Sequence, residues 1–256
     1  MSSVRSEVTD DHVARITLDR PDQLNAITIE LARELEQAIL TLGSREDVHV
    51  VVVRGSGGTF CAGGDFGEVE RLRAEGPEAL RPLFEAFGAA CRAVAEVPAP
   101  VVAVVEGAAT AGGFELMQAA DLVLVRDDVK VGDNHIRFGQ IPGGGSTQRL
   151  PRLVGRQRAL GILLGGERFD GPTLVELGLA YASWSATEFE GRVAAFVADL
   201  AARRRDAVVG IKRLVNEGLG ADLESGLARE LDAVVHHIAG EAGGAGVAAF
   251  DTRSRG

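Results

Sequence analysis

Two short stretches of small residues carry the first chemical signal in this 256-residue chain. One is Phe60-Cys61-Ala62-Gly63-Gly64-Asp65. The other is Glu106-Gly107-Ala108-Ala109-Thr110-Ala111-Gly112-Gly113-Phe114-Glu115. Each follows an apolar, β-rich run. Small residues let a backbone approach a ligand closely. Their N–H groups, one of them at a helix N-terminus, can then point at an oxygen that gains charge during a reaction. The same residues also suit two tight strand-to-helix turns with no ligand, and the pattern alone leaves both readings open.

Two other Gly-rich turns carry less. Gly55-Ser56-Gly57-Gly58 and Gly143-Gly144-Gly145-Ser146-Thr147 both lack the Gly-Lys-Ser/Thr ending of a nucleoside-triphosphate loop, and no GxGxxG fingerprint occurs. Both read as turns. His12, His49, His236 and His237 have no motif context and read as surface or packing residues.

The elements that must position these residues follow from periodicity. Apolar runs over 13–18, 48–54, 101–105 and 122–125 read as strands, the later ones buried on both faces. Helical periodicity covers 28–42 and 77–96, and Gly112-Gly113 opens a short apolar helix over 114–120. Beyond the turn at 141–147 the pattern is mostly helical, over 156–164, 173–178, 187–203, 207–217 and 223–237. Strands and helices therefore alternate up to about residue 150 and helices alone follow, so the chain is expected to be α/β, a core with a helical C-terminal module.

Composition excludes several classes. A net charge of −10 speaks against a nucleic-acid surface. Arginine clusters at Arg149, Arg152, Arg156, Arg158 and at Arg203 to Arg205 read as solvated helix faces. The two cysteines, Cys61 and Cys91, lack metal spacing and suit a reducing cytoplasm. No membrane span and no apolar signal-peptide core is expected. No metal or redox cofactor is implied.

The two small-residue elements resemble those of the enoyl-CoA hydratase/isomerase (crotonase) family. So do Arg20-Pro21 with Leu24-Asn25-Ala26, Asp121, the run Ile141 to Leu150, Val154-Gly155, Lys212 with Asn216, and Ala249-Phe250. The match runs in order along essentially the whole chain. It implies a spiral of β-β-α turns over 1–195 that holds the active site, rather than a dinucleotide-binding sheet, and a helical C-terminal region over 196–256 that mediates trimers, often paired into hexamers. It implies an acyl-CoA thioester as substrate, with CoA as part of that substrate and not a separate cofactor.

Residue by residue, the resemblance places Ala62 and Gly112 as backbone donors to the thioester oxygen. Ala26 lies in the stretch that lines the adenine of CoA, and Asp65 and Phe66 fall among substrate contacts. Phe250 and Arg253 fall where the family's tail meets CoA bound at another subunit, with Arg253 in place of the more usual lysine. The segment 66–77 covers the acyl pocket. Glu115 stands three residues after the oxyanion glycine, where hydratases of the family carry an acid–base carboxylate. Burial beside Phe114 and Leu116 should raise its pKa.

The second carboxylate of such hydratases precedes the proline of Ile-Pro-Gly by seven residues. Here that position is His135, the clearest departure from the family pattern. Imidazole also exchanges protons near neutrality, so a Glu115–His135 pair could support hydration. Asp133 and Asn134 are neighbours that could substitute, and an extended run would put Asp133 and His135 on one side. Three activities stay open at this point. They are an enoyl-CoA hydratase-like lyase, a β-diketone carbon–carbon hydrolase or enoyl-CoA isomerase of the same fold, and a non-catalytic acyl-CoA-binding protein.

Overall fold

The valine-rich runs form a sheet buried on both faces in the computed structural model, which describes residues 2–240, 243 and 244. In chain order the elements are β1 (Val4–Val8), β2 (Val13–Leu18), α1 (Ile29–Gly43), β3 (Val50–Gly55), α2 (Phe66–Glu75), α3 (Pro77–Glu96), β4 (Val101–Val105) and β5 (Ala108–Thr110). Then come α4 (Gly112–Ala119), β6 (Leu122–Arg126), β7 (Lys130–Gly132), α5 (Ser146–Val154), α6 (Arg156–Gly165), α7 (Gly171–Glu176), β8 (Ala182–Trp184) and α8 (Phe189–Ala201). Two further helices, α9 (Arg205–Gly218) and α10 (Leu223–Ala239), follow.

The main sheet has the order β1-β2-β3-β4-β6-β8. Only the β1–β2 pair is antiparallel. Strand alternation divides the core. Val51, Val53, Val101, Ala103, Val105, Val123 and Val125 join the cluster under α1, α3 and α4. Val50, Val52, Val102, Val104 and Leu124 face the other way, onto Phe189, Val193, Val197 and Ala201 of α8. Burial on both faces is why these strands carry no polar alternation.

A second, shorter ladder joins the segments that follow the long strands. β5 pairs in parallel with β7. Single bridges extend the ladder through Cys61 to Ala109, Ile27 to Gly64, and Val131 to Phe169. The chain thus repeats long strand, short strand, helix, as in β4–β5–α4. This is the expected spiral of β-β-α turns.

The sequence reading lacks the short strands β5 and β8 and the helix α5, and three further elements differ from it. β1 is an edge strand whose middle residues are exposed, so it lacked an apolar signature. α2 buries only Leu72. Its start is set by Asp65, whose side chain accepts the Glu68 N–H at 3.0 Å, a cap that periodicity does not display. The segment around His135 is not extended: β7 ends at Gly132, and His135–Phe138 is a 3₁₀ turn.

The chain divides into two compact units, Met1–Ala202 and Arg203–Gly256. The boundary lies after 202 rather than 195 because α8 keeps Val197 and Ala201 buried against the sheet. In the second unit α9 and α10 pack on each other, and neither contains a buried residue. Among the described residues no helix is long and apolar enough to cross a membrane.

Candidate active site

A cavity of about 420 Å³ opens within the first unit, where the second ladder meets α3 and α4. Phe66, Val69, Leu83, Phe84, Phe87 and Ile141 make its apolar wall. Ala62, Gly64, Gly112, Glu115, Asn134 and His135 make its polar one.

The polar wall begins with a turn. Leu24 and Asn25 both take left-handed backbone angles, φ +51° and +55°. The fully buried Asn25 side chain holds that turn. It accepts the Arg20 N–H at 2.9 Å and donates to the carbonyls of Ser56 at 2.9 Å and Thr59 at 2.7 Å. The turn aims the Leu24 carbonyl at the Ala62 N–H, 3.0 Å away. Ala62 is therefore not an open donor, which corrects the assignment from the resemblance. Around it, Ile27 accepts the Asp65 N–H at 2.8 Å and donates to Gly63 at 2.7 Å. The amide left open in this segment is Gly64, whose N–H has no acceptor among the described residues.

The second donor segment is stitched to the first. Cys61 N–H donates to Ala108, Thr110 N–H to Cys61, and the Thr110 hydroxyl to the Ala62 carbonyl, all at 3.0–3.1 Å. Ala111 then turns the chain sharply into α4 with φ +51° and ψ −118°. A side-chain-bearing residue adopts such angles at a cost of about 1–3 kcal/mol. Its N–H donates to Gly132 at 3.2 Å and its carbonyl accepts from Glu115 at 3.0 Å, so it is held on both sides. Gly112 follows as the first residue of α4, and its N–H has no acceptor among the described residues. Gly113 must be glycine, because a Cβ there would lie 2.0 Å from the Cys61 carbonyl oxygen.

Glu115 lies one turn along α4 and is 2% exposed. Its Oε1 accepts the Gly144 N–H at 2.7 Å and the Ser146 N–H at 3.0 Å. Ser146 opens α5, so the carboxylate also meets a helix N-terminus. Gly144 has no room for a side chain: a Cβ would lie 2.1 Å from the Phe87 ring. Burial pushes the Glu115 carboxyl above the usual glutamate range. The two N–H donors and His135 offset only part of that.

His135 faces Glu115 across the cavity, with Nε2 4.0 Å from Oε2. That is too long for a hydrogen bond. It is the span that one water can bridge. The other ring nitrogen, Nδ1, is 2.8 Å from Asp133 Oδ1. Burial works to lower the His135 pKa, but the hydrogen bond and charge of Asp133 and the charge of Glu115 outweigh it. The net direction is upward.

The remaining candidates separate. Phe66 lines the cavity. Ala26 is buried and gives its carbonyl to Arg20 at 2.5 Å. Asp65 caps α2 and pairs with Arg20 at 3.0 Å, and it does not line the cavity. Phe250 and Arg253 lie outside the described residues. Sequence reasoning missed Gly64 and the contact between Asp133 and His135. No compositional signal separates Gly64 from Ala62, since only the pairing with residues 24–27 decides which amide stays open.

The comparisons with known proteins agree with this architecture. The family model for enoyl-CoA hydratase/isomerase matches residues 9–255. YngF of Bacillus subtilis, named for the same family, is 32% identical over 254 residues, covering 99% of this chain and 96% of its own. The crystal structure of an enoyl-CoA hydratase from Polaromonas sp. JS666 superposes with a TM-score of 0.92 at 31% identity, over 98% of this chain and 97% of that one. A peroxisomal Delta(3,5)-Delta(2,4)-dienoyl-CoA isomerase of Arabidopsis thaliana is 28% identical, covering 86% of this chain and 82% of its own. By sequence along nearly its whole length, and by fold, this chain belongs to the enoyl-CoA hydratase/isomerase family.

Proposed function

We propose that this chain adds water across the conjugated double bond of an enoyl-CoA thioester. One observation carries the reading: two open backbone N–H groups, Gly64 and Gly112, share a cavity wall with two proton-exchanging side chains 4.0 Å apart. The thioester oxygen sits between the two amides. Glu115, as carboxylate, takes a proton from a water held between Oε2 and Nε2. The water oxygen bonds to the β-carbon, the double bond's electrons move toward the carbonyl, and the oxygen gains enolate charge. The two N–H donors stabilise that charge without reorganising, and losing one such donor costs about 2.7–4 kcal/mol of barrier.

The His135 imidazolium then gives its Nε2 proton to the α-carbon. Glu115 returns the water's proton to His135, again through water, and the net change is addition of one water. The apolar wall of Phe66, Val69, Leu83 and Phe84 takes the acyl chain. The reaction draws on no cofactor beyond the CoA of the substrate. Purified protein with short and medium trans-2-enoyl-CoA thioesters should lose the conjugated enoyl-thioester absorbance. No loss across several chain lengths would refute the reading.

A second reading, migration of the double bond without water, is favoured by the likeness to the Arabidopsis isomerase. A 3-enoyl-CoA substrate separates the two, since only the isomerase converts it to the conjugated thioester. We also propose a homotrimer or hexamer as the assembly. α9 and α10 support it, because they carry Ile211, Val215, Leu227 and Leu231 without burying any. Light scattering on the purified protein tests it.

A further inference from the structure

Asp133 has no part in the hydration scheme above, yet its burial is unusual. It is 0% exposed, and a buried carboxylate is costly unless it is paired and hydrogen-bonded. Its Oδ1 accepts twice from one residue: the His135 backbone N–H at 3.2 Å and the ring Nδ1 at 2.8 Å. Its Oδ2 has no partner among the described residues. A residue that only held the turn would need the backbone contact alone, which serine or asparagine also supplies. The ring contact has a chemical consequence. A carboxylate accepts and does not donate, so Nδ1 must carry the hydrogen. The neutral ring then keeps its lone pair at Nε2, the nitrogen that faces Glu115 and the cavity. The other tautomer would turn the lone pair to Asp133, acceptor against acceptor, and leave Nε2 unable to take up a proton.

We propose that Asp133 is a positioning residue that holds His135 with Nδ1 protonated and Nε2 turned toward Glu115, so that an imidazole can work where hydratases of this fold carry a carboxylate. Its kinetic consequence rests on the hydration reading; its effect on the ring does not. The charged groups around His135 are Asp133 from the same loop, Glu115 from α4 and Arg168 from the segment after α6, which lines the same cavity, with Arg137 two residues on in the same turn. Of these, Asp133 makes the only hydrogen bond to the ring among the described residues.

The test reads the ring directly. In nitrogen-15-labelled protein, with the His135 signals assigned against His135→Gln, the neutral ring of the unaltered chain should be the Nδ1–H tautomer. In Asp133→Asn the imidazolium should deprotonate at lower pH. The alkaline limb of kcat should move with it, and kcat should fall about 10- to 100-fold. In a His135→Gln background the same change should cost less than about twofold, because a residue acting through the ring has nothing left to act on. An Nε2–H tautomer in the unaltered chain, an unmoved titration, or additive losses in the double variant would overturn the proposal. The tautomer is read on the unaltered chain, so a poorly folding variant does not shield the idea. Absence of turnover on every enoyl-CoA would refute hydration, while the ring titration would still decide Asp133.

Discussion

Replacing Glu115 by glutamine should stop the chemistry and leave the fold in place. Glu115 Oε1 accepts from Gly144 at 2.7 Å and from Ser146 at 3.0 Å. A glutamine carbonyl oxygen accepts both, and its amide nitrogen then takes the place of Oε2 opposite His135. What disappears is the group that takes the water's proton. General acid–base catalysis contributes about 10²- to 10⁴-fold, so kcat should fall by that factor, about 2.7–5.5 kcal/mol of barrier. KM should change little, since Gly64, Gly112 and the apolar wall are untouched.

Stability should move the other way. Burial holds the Glu115 carboxyl above its usual range, so the folded chain binds this proton more tightly than the unfolded one. The stabilisation is complete below the ordinary glutamate pKa and is lost as pH rises through the raised one. Glutamine cannot ionise and avoids the loss. The Glu115→Gln variant should therefore melt higher than the parent at neutral pH, with a gap that widens from about pH 5 upward. Steady-state hydration and thermal melts on one preparation suffice. A variant within tenfold of the parent kcat, or a melting gap that narrows with rising pH, would refute the reasoning.

The pH profile of kcat should be a bell. Activity falls at low pH as the raised Glu115 is protonated, and at high pH as the raised His135 loses its proton; a profile flat on the alkaline side would remove His135 from the proton path. A structure with a β-ketoacyl-CoA, which enolises but cannot be hydrated, should place the thioester oxygen within about 3.1 Å of the Gly64 and Gly112 nitrogens. The Ala62 N–H should stay on the Leu24 carbonyl; an oxygen bound to Ala62 instead would restore the original assignment. Gly113→Ala puts a Cβ 2.0 Å from a backbone oxygen that has no freedom to move. It should destabilise the chain by about 3 kcal/mol or more, and an unshifted melting curve would contradict the close approach described here.

Much of the fold was legible because it depends on burial. Strands such as 50–55 and 101–105 lie inside two apolar layers, and valine runs record that directly. Helices with one buried stripe, such as α1 and α3, also announce themselves. What escaped depends on single contacts. α2 starts from the Asp65 cap and buries one leucine. The His135 segment becomes a 3₁₀ turn, its first amide held by Asp133, although the residues allow extension. In the site, the ordered motif named Glu115, Gly112 and His135, which line one cavity. It could not show that the Ala62 amide is already bonded, because hydrogen-bond direction along residues 61–65 is decided by a turn some forty residues earlier.

The site concentrates costs that the sheet must offset. Ala111 sits at φ +51°, Glu115 is buried against its ionisation, and Asp133 keeps one carboxylate oxygen without a partner among the described residues. Each cost fixes one part of the chemistry. The Ala111 turn ends β5 and starts α4 within a single residue, so the Gly112 amide meets the cavity unbonded before any substrate arrives. Its own N–H and carbonyl are tied to Gly132 and Glu115, which leaves the turn no way to relax. Burial of Glu115 raises its proton affinity, which suits the base role proposed for it. In the proposed scheme the Asp133 contact keeps Nε2 of His135 on the cavity side.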